Sequence, residues 1–290
     1  MLVVSFNIFS FKFYSGKIFK EKEHFSNMFA IAILAGDKRR KALLEINNKT
    51  LGKVVLDAVK EFDVYKILIA RKEVLNFFKD YVDYFDFTSA SSFLKNHIKA
   101  VNKVKTKGID EIIFVHCDLP LLTKRSIENF VMKARKEGGN FIIPVCNAKY
   151  IEENLPNYSL WKWKARNFDF VVGNVYYFKI GRSKIKNAGL INLLYKYKNK
   201  RNPFNWFFIL FGFLIEENIN LLKYARAAFN TWGGKYDINE ISKNISKVLF
   251  GDEISYKLIE INDLAIYIDI DNKKDLEIVK NYLNNLCSFT

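Results

Sequence analysis

Residues 29–70 restrict the fold more than any other part of the chain. "FAIAIL", 29 to 34, is an unbroken apolar run that ends in Ala35-Gly36. Such a run reads as a strand buried on both faces, the kind found in parallel sheets. Thr50 then stands as a helix cap before "LGKVVLDAVKEF", where Leu51, Val55, Ala58, Val59 and Phe62 repeat at helical spacing. "VYKILIA", 64 to 70, is a second apolar run. Strand, loop, helix and strand in about forty residues make a βαβ unit, because parallel neighbours need a crossover of that size.

The pattern recurs. A helix is expected around 91 to 104, a strand over 111 to 117, and a helix capped by Thr123 that runs to Gly138-Gly139. "NFIIPV" is the next strand. After Pro144 the rhythm loosens. "DFVVGNVYYF", 169 to 178, reads as a strand interrupted by Gly173, and residues 185 to 249 read as a largely helical insert. "YKLIEI" and "LAIYIDID" read as closing strands, and Asn272 caps a final helix with Asp275 at capping-box spacing. Leu276, Val279 and Leu283 line that helix's inner face. No stretch rich in Pro, Gly or Ser divides the chain, so residues 28–290 read as one α/β domain. It would have a mostly parallel sheet with helices on both faces. Residues 1–27 are apolar but lack a basic start and a small-residue cleavage site. They read as an extension, with Met28 as the natural start.

Charge and cysteine content narrow the setting. With 46 Lys and Arg against 31 Asp and Glu, the formal charge is +15, which favours nucleotides, other polyanions or acidic surfaces. The lysines are scattered without an aromatic-and-basic recognition pattern, so nucleic acid is not expected as a partner. Cys117, Cys146 and Cys287 are an odd number at wide spacing, which suits a reducing cytoplasm rather than a disulfide framework. His24, His97 and His116 do not form a zinc pattern. The apolar run from 204 to 215 is too short for a membrane span, which needs ~20 residues. It belongs to the core, to a homodimer contact, or to a surface that docks a partner or membrane.

Ligands of open α/β sheets bind beyond the carboxyl ends of strands. Three such ends carry polar residues. "LAGDKRRK", 34 to 41, joins a close-approach Ala-Gly to Lys38, Arg39, Arg40 and Lys41, a loop suited to a triphosphate although it is neither a Walker loop nor a GxGxxG fingerprint. "HCDLPLLT" places Asp118 at the end of the third apolar strand, where a carboxylate holds Mg²⁺ or merely starts a turn. "IDIDNKKDL" places Asp269 and Asp271 on one face of a strand, or leaves Asp271 to the start of the last helix with Asn272 and Asp275.

Those segments and the stretch after the first of them resemble the molybdenum-cofactor guanylyltransferase-like (MobA-like) nucleotidyltransferases, through "AIAILAG", "LLEINNKTL", "VHCDLPLLT" and "IDIDNKKDLEIV". The likeness runs from residue 29 to about 285. It includes a branch with a shortened phosphate loop, a Gly173-Asn174 pair and an Arg201-Asn202-Pro203 segment. It implies a Rossmann-like nucleotide-diphospho-sugar transferase (GT-A type) fold in a cytoplasmic enzyme. It implies that Leu34, Ala35 and Gly36 contact the nucleotide, with Lys38, Arg39 and Lys41 on its phosphates. It also implies Mg²⁺ on Asp118 with Asp269 or Asp271, and an acceptor near Asn174 and Arg201. Two departures stand out. Asp37 replaces a usual glycine beside the phosphates, and Asn48 and Thr50 replace a Gly and a Pro before the first helix.

The expected reaction is transfer of NMP from an NTP, GTP or CTP ahead of the others, to a small phosphorylated acceptor. Lys41 and Asp118 are the catalytic residues. Two rivals share the fold. One is a transferase using an NDP-sugar, disfavoured because Asp118-Leu-Pro lacks a DxD. The other is a non-catalytic nucleotide-binding or scaffold protein, for which Asp37 is the argument.

Overall fold

The computed structural model describes residues 29–89, 93–181, 233–249 and 255–288. The extension 1–27, Arg201, the run 204–215 and residues 185–232 of the expected insert lie outside these spans.

β1 (Phe29–Ala35) is buried at every position. The short strands β2 (Glu45–Ile46) and β3 (Lys49–Thr50) pair as a hairpin whose turn, Asn47-Asn48, has φ values of 45° and 62°. A two-residue hairpin turn of this kind demands positive φ at both positions, and Asn tolerates it better than most residues. α1 (Leu51–Lys60) starts where Thr50 Oγ1 accepts the Lys53 N–H. Next come β4 (Tyr65–Ala70), α2 (Lys72–Phe78), β5 (Tyr84–Phe87), α3 (Phe93–Lys105) and β6 (Glu111–His116). α4 (Lys124–Glu137) is capped by Thr123, which accepts the Ser126 N–H, and stops at Gly138 with φ of 63°. β7 (Phe141–Asn147), α5 (Ala148–Asn154), β8 (Trp163–Lys164), β9 (Asp169–Val172) and β10 (Val175–Lys179) follow. The last described elements are α6 (Ile238–Leu249), β11 (Tyr256–Glu260) and α7 (Lys273–Ser288).

One nine-stranded sheet has the order β5-β4-β1-β6-β10-β7-β9-β8, with β11 paired to β7. The ladders give seven strands one direction and leave only β9 and β10 opposed, so the sheet is mixed but mostly parallel. The larger core packs one face of the sheet against α1, α2, α4, α5 and α7, with Val279 fully buried and Leu276 and Leu283 packed against it. α3 contributes Ala100 and Val104 to the core of the other face. A third cluster seats α6 near β11 through Ile241, Tyr256 and Leu258. Among the described residues, no helix is long and apolar enough to cross a membrane.

Two expectations need correction. The run 169–178 is two strands with different partners: β9 pairs with β7 and β8, whereas β10 lies between β6 and β7. They divide at Gly173-Asn174. A Cβ on Gly173 would stand 2.7 Å from Pro144 Cγ and 3.1 Å from the Ile266 carbonyl oxygen, so the crossing requires glycine. "LAIYIDID" is not a strand. Leu264–Ile266 is a 3-10 turn capped by Asp263, whose carboxylate accepts the Ala265 N–H. The Tyr267 and Ile268 N–H groups return to the Leu264 carbonyl, so local bonds replace a ladder. Ile266, Ile268 and Ile270 are all buried, and one-sided packing produced the alternation that imitates a strand.

Candidate active site

Strand order reverses at β1. The chain first builds outward through β4 and β5, then places β6 on β1's other side. Beyond the carboxyl ends of β1 and β6 a crevice opens, and the polar strand ends meet there. Cys117 N–H donates to the Leu34 carbonyl, which aligns the two ends.

From β1 the chain passes through buried Gly36 to a tight loop. Asp37 Oδ1 accepts the Arg39 N–H at 2.7 Å, and the Arg40 N–H donates to the Asp37 carbonyl. Arg40 then takes a left-handed φ of 54°, and a 3-10 turn begins at Lys41. This geometry aims Lys41 inward. Its ammonium lies 2.6 Å from Asp118 Oδ2 and 2.7 Å from Asp271 Oδ1. Only 6% of the Lys41 side chain and 10% of the Asp118 side chain are exposed, against 59% for Asp271. Arg39 joins from the surface, with Nη1 2.7 Å from the Asp271 carbonyl and Nη2 3.2 Å from its Oδ1. The loop that precedes α7 is held in register with β6, because Ile270 N–H donates to the Asp118 carbonyl. α7 starts on the expected capping box, with Asp275 N–H on Asn272 Oδ1 and Asp275 Oδ2 on the Asp271 N–H and the Asn272 amide.

Residues 31–166 match the family described as MobA-like NTP transferase domain. That span, slightly less than half of the chain, is similar to the MobA-like NTP transferases. Lys41 and Asp118 fall inside the matched span, and Asn174, Asp269 and Asp271 fall beyond it. A structure described as a hypothetical transferase from Thermus thermophilus aligns with a TM-score of 0.61 and 14% identity, covering 86% of this chain and 99% of its own. A 4-diphosphocytidyl-2C-methyl-D-erythritol synthase from Anaerococcus prevotii aligns with a TM-score of 0.50 and 12% identity, covering 89% of this chain and 96% of its own. At such identities both show the fold alone. No curated protein sequence matches the chain.

The electrostatics of this site follow from burial. Desolvation alone would lower the Lys41 pKa, but Asp118 and Asp269 more than offset it and raise it above the ordinary lysine value. Asp269 is pushed up to about 7, chiefly by burial and then by the charges of Asp118 and Asp271. Its Oδ1 accepts the Tyr158 hydroxyl, which also bonds its backbone carbonyl, so this carboxylate is held toward Tyr158. Asp271 goes the other way. Burial would raise it, but hydrogen bonds from Lys41 and Arg39 hold it below the usual carboxylate value.

The residues assigned from sequence are therefore placed unequally. Lys41, Asp118, Asp271 and Arg39 come together directly. Leu34, Ala35 and Gly36 line the same strand end, and Lys38 is exposed at the loop's tip. The Asn174 side-chain amide donates to the Tyr267 carbonyl and its backbone N–H to Ile266, which ties the β9–β10 crossing to the segment bearing Asp269 and Asp271. Among the described residues, no three His, Cys, Asp or Glu side chains form a metal cage. The donor chemistry still suits Mg²⁺. That ion commonly takes one or two carboxylates plus substrate phosphates, and two carboxylate oxygens here already converge on one cationic head.

Sequence reasoning missed two contributors. Arg71 follows β4 directly, and its Nε donates to the Gly36 carbonyl, bracing the 36–41 loop. The strand-end rule applied to "VYKILIAR" would have found it. Tyr158 sits in "NLPNYSL", where neither spacing nor periodicity marks it.

Proposed function

We propose that the chain is a Mg²⁺-dependent nucleotidyltransferase that moves NMP from an NTP to a small phosphorylated acceptor and releases pyrophosphate. The observation that carries this reading is the buried Lys41 ammonium, 2.6 Å from Asp118 and 2.7 Å from Asp271, at the β1–β6 crevice. An acceptor phosphate oxygen forms the new bond to the α-phosphorus, and the bond from that phosphorus to the β-bridging oxygen breaks. The electron pair leaves with pyrophosphate. An acceptor that is already a phosphate needs little deprotonation, so the chain supplies charge and position more than proton transfer. Lys41 and Arg39 neutralise phosphate oxygens, the backbone of 34–36 lies against the nucleotide, and Asn174 marks the acceptor side. Asp118 and Asp271 would hold Mg²⁺, with Asp269 beside them. Bound there, the ion would neutralise phosphate charge and fix in-line geometry.

One observation favours a second reading, a nucleotide-binding protein without catalysis. Asp37 already occupies the Arg39 N–H that a phosphate would use. A screen of each NTP against phosphorylated sugars, alcohols and heterocycles, read by pyrophosphate release, separates the two. Release with one pair, lost in Lys41→Met, is the expected result. NTP binding without release for any acceptor favours the second reading.

A further inference from the structure

We propose that Lys41 is a built-in counter-cation that keeps the metal position closed until nucleotide arrives, so that the protein loads nucleotide before, or together with, its divalent ion. This rests on the magnesium reading above and adds an order of binding to it. The geometry is specific. A divalent ion such as Mg²⁺ sits ~2.0–2.1 Å from its oxygen ligands. The Lys41 ammonium stands 2.6 Å from Asp118 Oδ2 and 2.7 Å from Asp271 Oδ1, so a cation that binds both oxygens competes with the ammonium for them. Lys41 is buried, and Arg39 clamps the outer carboxylate as well, at its Oδ1 and its carbonyl. Two protein cations thus already serve these two carboxylates.

A triphosphate changes the balance, because its oxygens are alternative acceptors within the same loop. The lysine ammonium is a point charge on a flexible four-carbon stem, and it can turn from carboxylate to phosphate without moving the backbone. Arg39 has the same choice. Once both cations have turned, Asp118 and Asp271 face each other uncompensated, and the divalent ion fills the position they left.

The test uses Mn²⁺ as the probe, read by electron paramagnetic resonance on the full chain without nucleotide. Wild type is expected to bind Mn²⁺ weakly. Lys41→Met and Lys41→Gln are expected to bind it on the order of tenfold or more tightly, since an adjacent opposite charge is worth one pK unit or more. Adding Asp118→Asn to either should erase the gain. Equal Mn²⁺ affinity in wild type and both Lys41 variants overturns the exchange. So does tight nucleotide-free binding by wild type that Asp118→Asn abolishes, a result that stands even if neither Lys41 variant folds. Either outcome leaves the transferase reading intact if a non-hydrolysable NTP still recruits Mn²⁺ to Asp118. No Mn²⁺ uptake by any form, with or without that analogue, sinks both.

Discussion

Asp118 and Asp271 accept from the same ammonium at nearly the same distance, 2.6 and 2.7 Å, yet they should contribute very differently to stability. The difference is burial. Asp118 is 10% exposed beside a lysine that is 6% exposed, so the pair is desolvated on both sides. Removing one partner of a buried pair costs ~3–5 kcal/mol, because the other charge stays behind uncompensated. Lys41 retains Asp271 in an Asp118→Asn variant, which puts the expectation at the lower end, ~3 kcal/mol. Asp271 is 59% exposed, where an ion pair is worth only ~0–1 kcal/mol. Asp271→Asn should therefore cost at most ~1 kcal/mol. Urea unfolding at neutral pH measures both, with unchanged m-values as the check that only stability moved. Equal losses would refute the burial argument. A stabilised Asp118→Asn would show that repulsion among Asp118, Asp269 and Asp271 outweighs the ion pair.

Three further outcomes follow from named contacts. Asp37→Asn keeps the turn but removes the charge beside the phosphates, and should tighten NTP binding by calorimetry; weaker binding would mean that Asp37 takes part in the site. Gly173→Ala pushes a methyl group into Pro144 and the Ile266 carbonyl, and should cost ~1–3 kcal/mol by overpacking in the same urea assay; a neutral result would show that the 264–272 segment yields freely. Burial would raise Asp57, but hydrogen bonds from Lys53 and Lys60 outweigh it and hold it at about 2. Its depressed folded value means that its contribution is present above the unfolded carboxylate pKa and is lost as pH falls from ~4 toward 2. Asp57→Asn should flatten stability over that window, and an unchanged pH profile would contradict the pairing of Asp57 with Lys49, Lys53 and Lys60.

Much of the site was legible because its members sit at strand ends, and strand ends announce themselves. "FAIAILAG" and "EIIFVHCD" are runs whose burial dictates where the first polar group must emerge, so the basic loop 34–41 and Asp118 could be placed at matching strand ends, while the choice of Lys41 within the loop came from the resemblance. The caps at Thr50, Thr123 and Asn272 were equally local. What could not be read depends on pairing between distant segments. "DFVVGNVYYF" does not reveal that its halves join different neighbours, because each half alone satisfies a strand pattern. The buried Ile266, Ile268 and Ile270 alternate for packing reasons, and only the bonds from Tyr267 and Ile268 back to Leu264 show that no ladder is present. Tyr158, held against Asp269, has no sequence signature at all. Asp37 was singled out as a departure, but its capture of the Arg39 N–H is a matter of side-chain rotamer, which no pattern reports.

Calorimetry of the full chain with each NTP, with and without Mg²⁺, tests the transferase reading most directly. At least one NTP should bind more tightly when Mg²⁺ is present, and Asp118→Ala should abolish that dependence. Absence of Mg²⁺-dependent binding for every NTP would contradict the transferase reading, and unchanged Mg²⁺ dependence in Asp118→Ala would remove Asp118 from the site.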